Sequence, residues 1–178
     1  MARMVKRMPL HEQLLVQAEH LVTKDKNPNP PRASLRRAVS TAYYALFHLL
    51  VYASASCLAG GSERKKLRNL LSRAFEHAEM KSVCTAFKSG TLNANVANNY
   101  GPVSVPRDLK HVAEAFCLLQ EGRHLADYAV HQRFTRTEAI VEVNRAKNAF
   151  QAWDRVRKDP VARLFLTCLL IQKKVQGR

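Results

Sequence analysis

The stretch LRRAVSTAYYALFHLL, residues 35–50, decides the fold. Leu35, Val39, Ala42, Leu46 and Leu50 fall four, three, four and four residues apart, the 3.6-residue period of a helix with one buried face. Tyr43 and Tyr44 stand side by side within it, and His48 follows Tyr44 by one turn. Neighbours on a helix point about 100° apart, so two adjacent tyrosines cannot share one narrow core stripe. One of them has to face a second surface.

The same period continues outward on both sides. The helix predicted over 32–59 ends at Gly60-Gly61, and an earlier one spans 9–24, with Pro9 in its first turn and Leu14, Leu15, Ala18, Leu21 and Val22 on one side. It stops at DKNPNPP, where Pro28, Pro30 and Pro31 cannot continue it. A third helix is expected over 63–88, capped by Ser62, with the stripe Leu67, Leu70, Leu71, Ala74 and Ala78. Residues 89–106, rich in Asn and Gly, have neither helical nor strand register and read as a long loop.

A fourth helix, 107–132, carries Leu109, Val112, Phe116, Leu119, Ala126 and Val130. Thr135 and Glu138 form a capping box that opens a fifth, with core positions Ala139, Val143, Ala146, Phe150 and Trp153. Asp159-Pro160 reads as N-cap and N1 of a sixth, running to 175. The expectation is an all-α bundle of five or six helices, one domain over 1–178. Its core spans 10–157, and the helix over 159–175 is an extension.

Lys and Arg number 29 against 14 Asp and Glu, a net charge of +15. Such an excess favours polyanionic partners, RNA or a nucleotide first among them. Cys57, Cys84, Cys117 and Cys168 lie far apart inside helical patterns and read as reduced core thiols of a cytoplasmic protein. The apolar run LFLTCLLI, 164–171, is too short to span a bilayer, and MARMVKRMPL lacks the apolar segment of a secretory signal. No metal or cofactor is expected.

The spacings of P-loop, dinucleotide-binding, zinc-protease and serine-hydrolase motifs are all missing. Catalysis would then rest on His, Arg, Lys or Tyr, a set suited to metal-free work on phosphodiesters. Arg73 and His77, four apart, are the first choice for a catalytic pair, with the guanidinium holding a phosphate while the imidazole moves a proton. A solvated helix surface is the plainer alternative for that pair. Arg123 with His131 is next in line, and Arg123, Asp127 and His131 can also form a purely structural ladder. Arg36 and Arg37 at one helix start, and Arg64, Lys65, Lys66 and Arg68 at the next, oppose the helix dipole and read as an anion-binding surface. His48 reads as a buried histidine bonded to a carbonyl or a tyrosine.

Three segments taken together resemble the HEPN superfamily of higher-eukaryote and prokaryote nucleotide-binding domains. They are Ala42-Tyr43-Tyr44-Ala45 followed by Phe47 and His48, then Arg123 with Ala126, Asp127 and Tyr128, then the Thr135 to Glu138-Ala139 helix start continuing to Ala146 and Phe150. The resemblance covers about residues 10–157. It implies an up-and-down helical bundle that pairs about a two-fold axis, with Tyr43 inward and Tyr44 and His48 toward the dimer seam or a neighbouring helix. Active members are metal-independent RNases of toxin–antitoxin or phage-defence systems, in which His follows Arg after four to six residues. Here the interval is three between Arg73 and His77 and seven between Arg123 and His131. Members without the motif imply the alternative, a non-catalytic dimeric scaffold whose partner is a protein of the same operon.

Overall fold

The computed structural model describes residues 8–23, 31–61 and 64–176, with side chains as far as Gln172. Ser62, the first seven residues and most of the DKNPNPP turn lie outside the described residues. Within them the chain is all helical: α1 Leu10–Thr23, α2 Arg32–Leu58, α3 Lys65–Leu71, α4 His77–Ser89, α5 Ala94–Tyr100, α6 Arg107–Tyr128, α7 Arg136–Val156 and α8 Pro160–Gln176.

α2 runs through the middle, packed against α1, α6, α7 and α8. Leu35, Val39, Ala42, Leu46 and Leu50 are all buried, and so are Ala38, Tyr43, Ala45, Phe47, Leu49 and Val51. A helix this long and apolar could cross a membrane by length and composition; here neighbouring helices cover most of its surface. Beyond its first two turns, the positions of α2 that stay open are Tyr44, His48 and Tyr52, with Ala53 and the last turn. Tyr44, His48 and Tyr52 are spaced four and four, so they form one stripe.

The helix ends follow their local chemistry. Thr135 and Glu138 form the capping box of α7 reciprocally. The Asp159 carboxylate accepts from the Val161 N–H at 2.7 Å, capping α8 ahead of Pro160. Gly90 ends α4 with φ 79°, a left-handed conformation that a side chain disfavours. The predicted core positions of α6 and α7 are buried except Phe150, at the edge, and Val130. Val130 is 72% exposed because α6 ends two residues before it.

Two expectations are corrected. Residues 89–106 are not wholly without structure: Asn93 caps the two-turn helix α5, its side chain accepting from the Asn95 N–H at 2.8 Å. The helix expected over 63–88 is two helices, broken at 72–76. The predicted stripe of its first half is not core, since Leu67 is 43% and Leu70 65% exposed and α3 buries no residue. Nothing holds α3 in line with α4. The chain turns instead, buries Phe75 within the break, and restarts with Met80, Val83, Cys84 and Phe87 facing α6 and α8. Eight described helices thus replace five or six.

The break makes a stability prediction. Phe75→Ala should cost about 3 kcal/mol, as for truncation of a core aromatic, whereas Leu70→Ala should stay within about 0.5 kcal/mol. Urea titrations of both variants check this, because an unbroken helix on the Leu67–Leu70–Leu71 stripe would reverse the order.

Candidate functional site

The residues that converge lie where α4 begins against α2 and α6. Tyr43, fully buried on α2, has its hydroxyl 2.5 Å from Nδ1 of His77, the first residue of α4. On the other side of His77, the Gln120 amide of α6 donates to the His77 carbonyl at 3.2 Å. One turn along α6, Arg123 donates to the Tyr44 hydroxyl at 3.0 Å and pairs with Asp127 at 2.8 Å. Its guanidinium lies over two rings, 5.6 Å from the centroid of Tyr44 and 5.4 Å from that of Tyr128, positions in which the ring faces attract a cation. A concavity of about 340 Å³ opens beside Arg123, lined also by Lys81, Gln120 and His124.

The two adjacent tyrosines thus divide as their 100° offset requires. Tyr43 points into the core, while Tyr44 lies half-buried on the open stripe with His48. The imidazoles of His48 and His77 share the same aromatic neighbours. Ring centroids lie 6.4 and 6.1 Å from Tyr44, and 5.3 and 4.4 Å from Phe47, for His48 and His77 respectively. His48 does not make the tyrosine or carbonyl hydrogen bond expected of it. No partner within hydrogen-bond reach meets it among the described residues.

Burial lowers the pKa of His77, and the charges of Arg123 and His48 lower it further. His48 is lowered by burial, and so is His11, against whose ring Tyr52 lies at 5.1 Å. Burial also raises the Tyr43 phenol, so that it keeps its proton throughout the neutral range. The site therefore combines one permanent cation with two imidazoles that are neutral near pH 7. Among the described residues no three His, Cys, Asp or Glu side chains are grouped as a metal centre would need.

The sequence-predicted residues are distributed differently. Arg73 and His77 are not on one helix face: Arg73 is exposed in the turn after α3, and the break removes the i,i+4 geometry on which their pairing rested. The first rung of the Arg123–Asp127–His131 ladder forms. The second does not, because α6 ends at Tyr128 and leaves His131 exposed in the turn beyond. Arg36 donates to the carbonyls of Ala129 and Gln132 at 2.9 and 3.0 Å, and Arg68 to those of Ala59 and Gly61 at 2.9 and 2.5 Å. These cations answer the carbonyl ends of α6 and α2, which accounts for them without any anion. Arg37, Arg64, Lys65 and Lys66 remain exposed.

In the sequence alone Arg123 stands second, Tyr44 offers no more than a ring for base stacking, and Tyr43 has no chemical role. The Tyr-Tyr pair one turn ahead of His48 was the available signal. The pairing of His77 with α2 had none, because it depends on where the third helix breaks. A wide groove of about 1090 Å³ beside α1, α7 and α8 is lined by Glu12, Asp154 and Asp159 against Arg157, Lys158 and Arg163. Its opposite charges balance, so it offers a polyanion no net attraction. No family model, no curated protein and no solved structure matches the chain.

The three lowered histidines make stability depend on pH. Each binds a proton less readily in the folded chain than at the ordinary value of 6.5. As pH falls through that value the unfolded chain takes up protons first, and stability is lost. The thermal midpoint should be lower at about pH 5 than at about pH 7.5, and His77→Gln should shrink that difference; melts of both proteins across this range measure it.

Proposed function

We propose that the chain is a HEPN-like, RNA-associated protein whose phosphodiester site is the cluster of Arg123, His77, Tyr44 and His48, and whose activity is metal-independent endoribonucleolytic cleavage. The observation that carries this reading is the stripe left open on an otherwise buried central helix. Two neutral imidazoles and an aromatic hydroxyl meet there, with an arginine supplied from α6.

An RNA phosphate takes its place against Arg123, whose guanidinium is already oriented by Asp127, Tyr44 and Tyr128. The ribose 2′-hydroxyl attacks the adjacent phosphorus, forming the P–O2′ bond and breaking the P–O5′ bond. The 2′ proton leaves to a base, and the 5′ oxygen gains one. The products are a 2′,3′-cyclic phosphate and a 5′-hydroxyl. Exposed Arg37, Arg64, Lys65 and Lys66 add a long-range pull on the backbone. A two-fold pair of chains, as the resemblance implies, would set two such stripes near one cleft.

The test is incubation with end-labelled structured RNA in EDTA, read on denaturing and native gels. Wild type should cut, leaving cyclic-phosphate ends. Arg123→Ala and His77→Ala should each lose about 100-fold or more, as for loss of a group that meets developing charge. Arg73→Ala should stay within a few-fold. RNA retained uncut would reduce the reading to a binding module, and RNA neither cut nor retained would overturn it in favour of a protein-interaction scaffold.

A further inference from the structure

We propose that Tyr43 is a positioning residue that holds His77 as the neutral tautomer protonated on Nε2, so that His77 donates a hydrogen bond to the phosphate and the proton of the 2′-hydroxyl goes to His48. The proton route rests on the reading of the cluster as a phosphodiester site; the tautomer does not.

A fully buried hydroxyl has to place its proton on an acceptor. For Tyr43 the one hydrogen-bond partner among the described residues is Nδ1 of His77. A hydroxyl donating into Nδ1 needs the lone pair there, so the ring proton sits on Nε2. A proton on Nδ1 would make the hydroxyl the acceptor and leave its own buried proton without an acceptor among the described residues. Burial and the neighbouring Arg123 disfavour the imidazolium as well. With its proton on Nε2 and no charge, His77 is a poor base at that atom and a poor acid, because losing the proton would leave an imidazolate. It is instead a fixed hydrogen-bond donor, and it works beside Arg123 on phosphate oxygens.

The base then has to be another group. His48 faces the same two rings, Tyr44 and Phe47, one helical turn along the open stripe. No hydrogen-bond partner occupies either of its nitrogens among the described residues, and desolvation keeps it neutral near pH 7. In the reaction, His48 takes the 2′ proton as the P–O2′ bond forms. The 5′ oxygen leaves with its electron pair and takes a proton from water, and His48 returns its own to solvent. The titratable and charged groups set around the two imidazoles are Tyr43 and Tyr44 of α2, His11 of α1 and Arg123 of α6. Of all these groups, the imidazoles are the ones whose ordinary value lies nearest neutral pH.

Long-range proton–nitrogen spectra of the uniformly nitrogen-15-labelled full chain read the tautomer without RNA. His77 should show the Nε2–H form, and Tyr43→Phe should mix the tautomers and move the His77 titration upward. The Nδ1–H form in wild type, or spectra unchanged in Tyr43→Phe, would overturn the assignment. Wild type answers the question even if the variant fails to fold.

The second arm is cleavage of the same RNA against pH. The rate should rise to a plateau through one titration, and His48→Gln should lose about 100-fold or more while still retaining RNA on native gels. A bell-shaped profile whose alkaline limb vanishes in His77→Gln would make His77 the acid and overturn the proton route. An inert wild type removes the cleavage reading and the His48 role with it, whereas the tautomer is still decided by the spectra.

Discussion

The hydrogen bond between Tyr43 and His77 ties the central helix to the segment that the chain would otherwise leave on the surface. A phenol with no exposed surface carries one polar atom into the core, and leaving that atom without a partner would cost about 1–3 kcal/mol. The partner comes from α4, so α4 has to start where its first residue meets the middle of α2. That requirement is incompatible with a straight helix over 63–88. With α3 burying nothing and Phe75 buried in the break, the chain gives up a few helical hydrogen bonds and gains an aromatic anchor together with a satisfied core hydroxyl.

How far residues alone could lead depended on whether the deciding signal was local. The period of α2, the capping box at Thr135, the Asp159 cap and the core of α6 are set by neighbours within a few positions, and all could be read from the chain. The break at 72–76 contains neither Pro nor Gly, and its residues Ser, Arg, Ala, Phe and Glu include good helix formers. Only tertiary contact, the burial of Phe75 and the meeting of His77 with Tyr43, decides against the helix. The same cause separates Arg73 from His77, whose i,i+4 placement holds only on an unbroken helix. Arg123 and the tyrosines were visible as residues, but their convergence joins positions up to 80 apart in sequence and had no local trace.

Charge shows the opposite failure, a visible signal with two meanings. Arg32 and Arg36 at the start of α2 oppose the dipole of their own helix, which by itself suggests an anionic ligand. Arg32, Arg36 and Arg68 instead reach carbonyls near the ends of α6 and α2, where a cation is favourable and otherwise unpaired acceptors are met. A helix start that is wrong for one dipole can be right for another brought beside it by the fold. The excess of +15 is therefore partly structural, and what remains for a polyanion is smaller than the total suggests.

That division also bears on why the cluster holds neutral imidazoles. Two imidazolium ions beside Arg123 would place three cations in a half-buried space with Asp127 as the one counter-charge paired with Arg123 among the described residues, and their mutual repulsion would weaken the packing of α4 on α6. Burial keeps both rings uncharged near neutral pH, helped at His77 by Arg123, so the arginine stays fixed by Asp127 and its flanking tyrosines rather than pushed outward. A phosphate arriving there meets a single oriented cation, with neutral nitrogen donors and acceptors around it. Under the proposed reading it can then be held by Arg123 without saturating the imidazoles as ion pairs, which leaves His48 free to take a proton while His77 keeps its own.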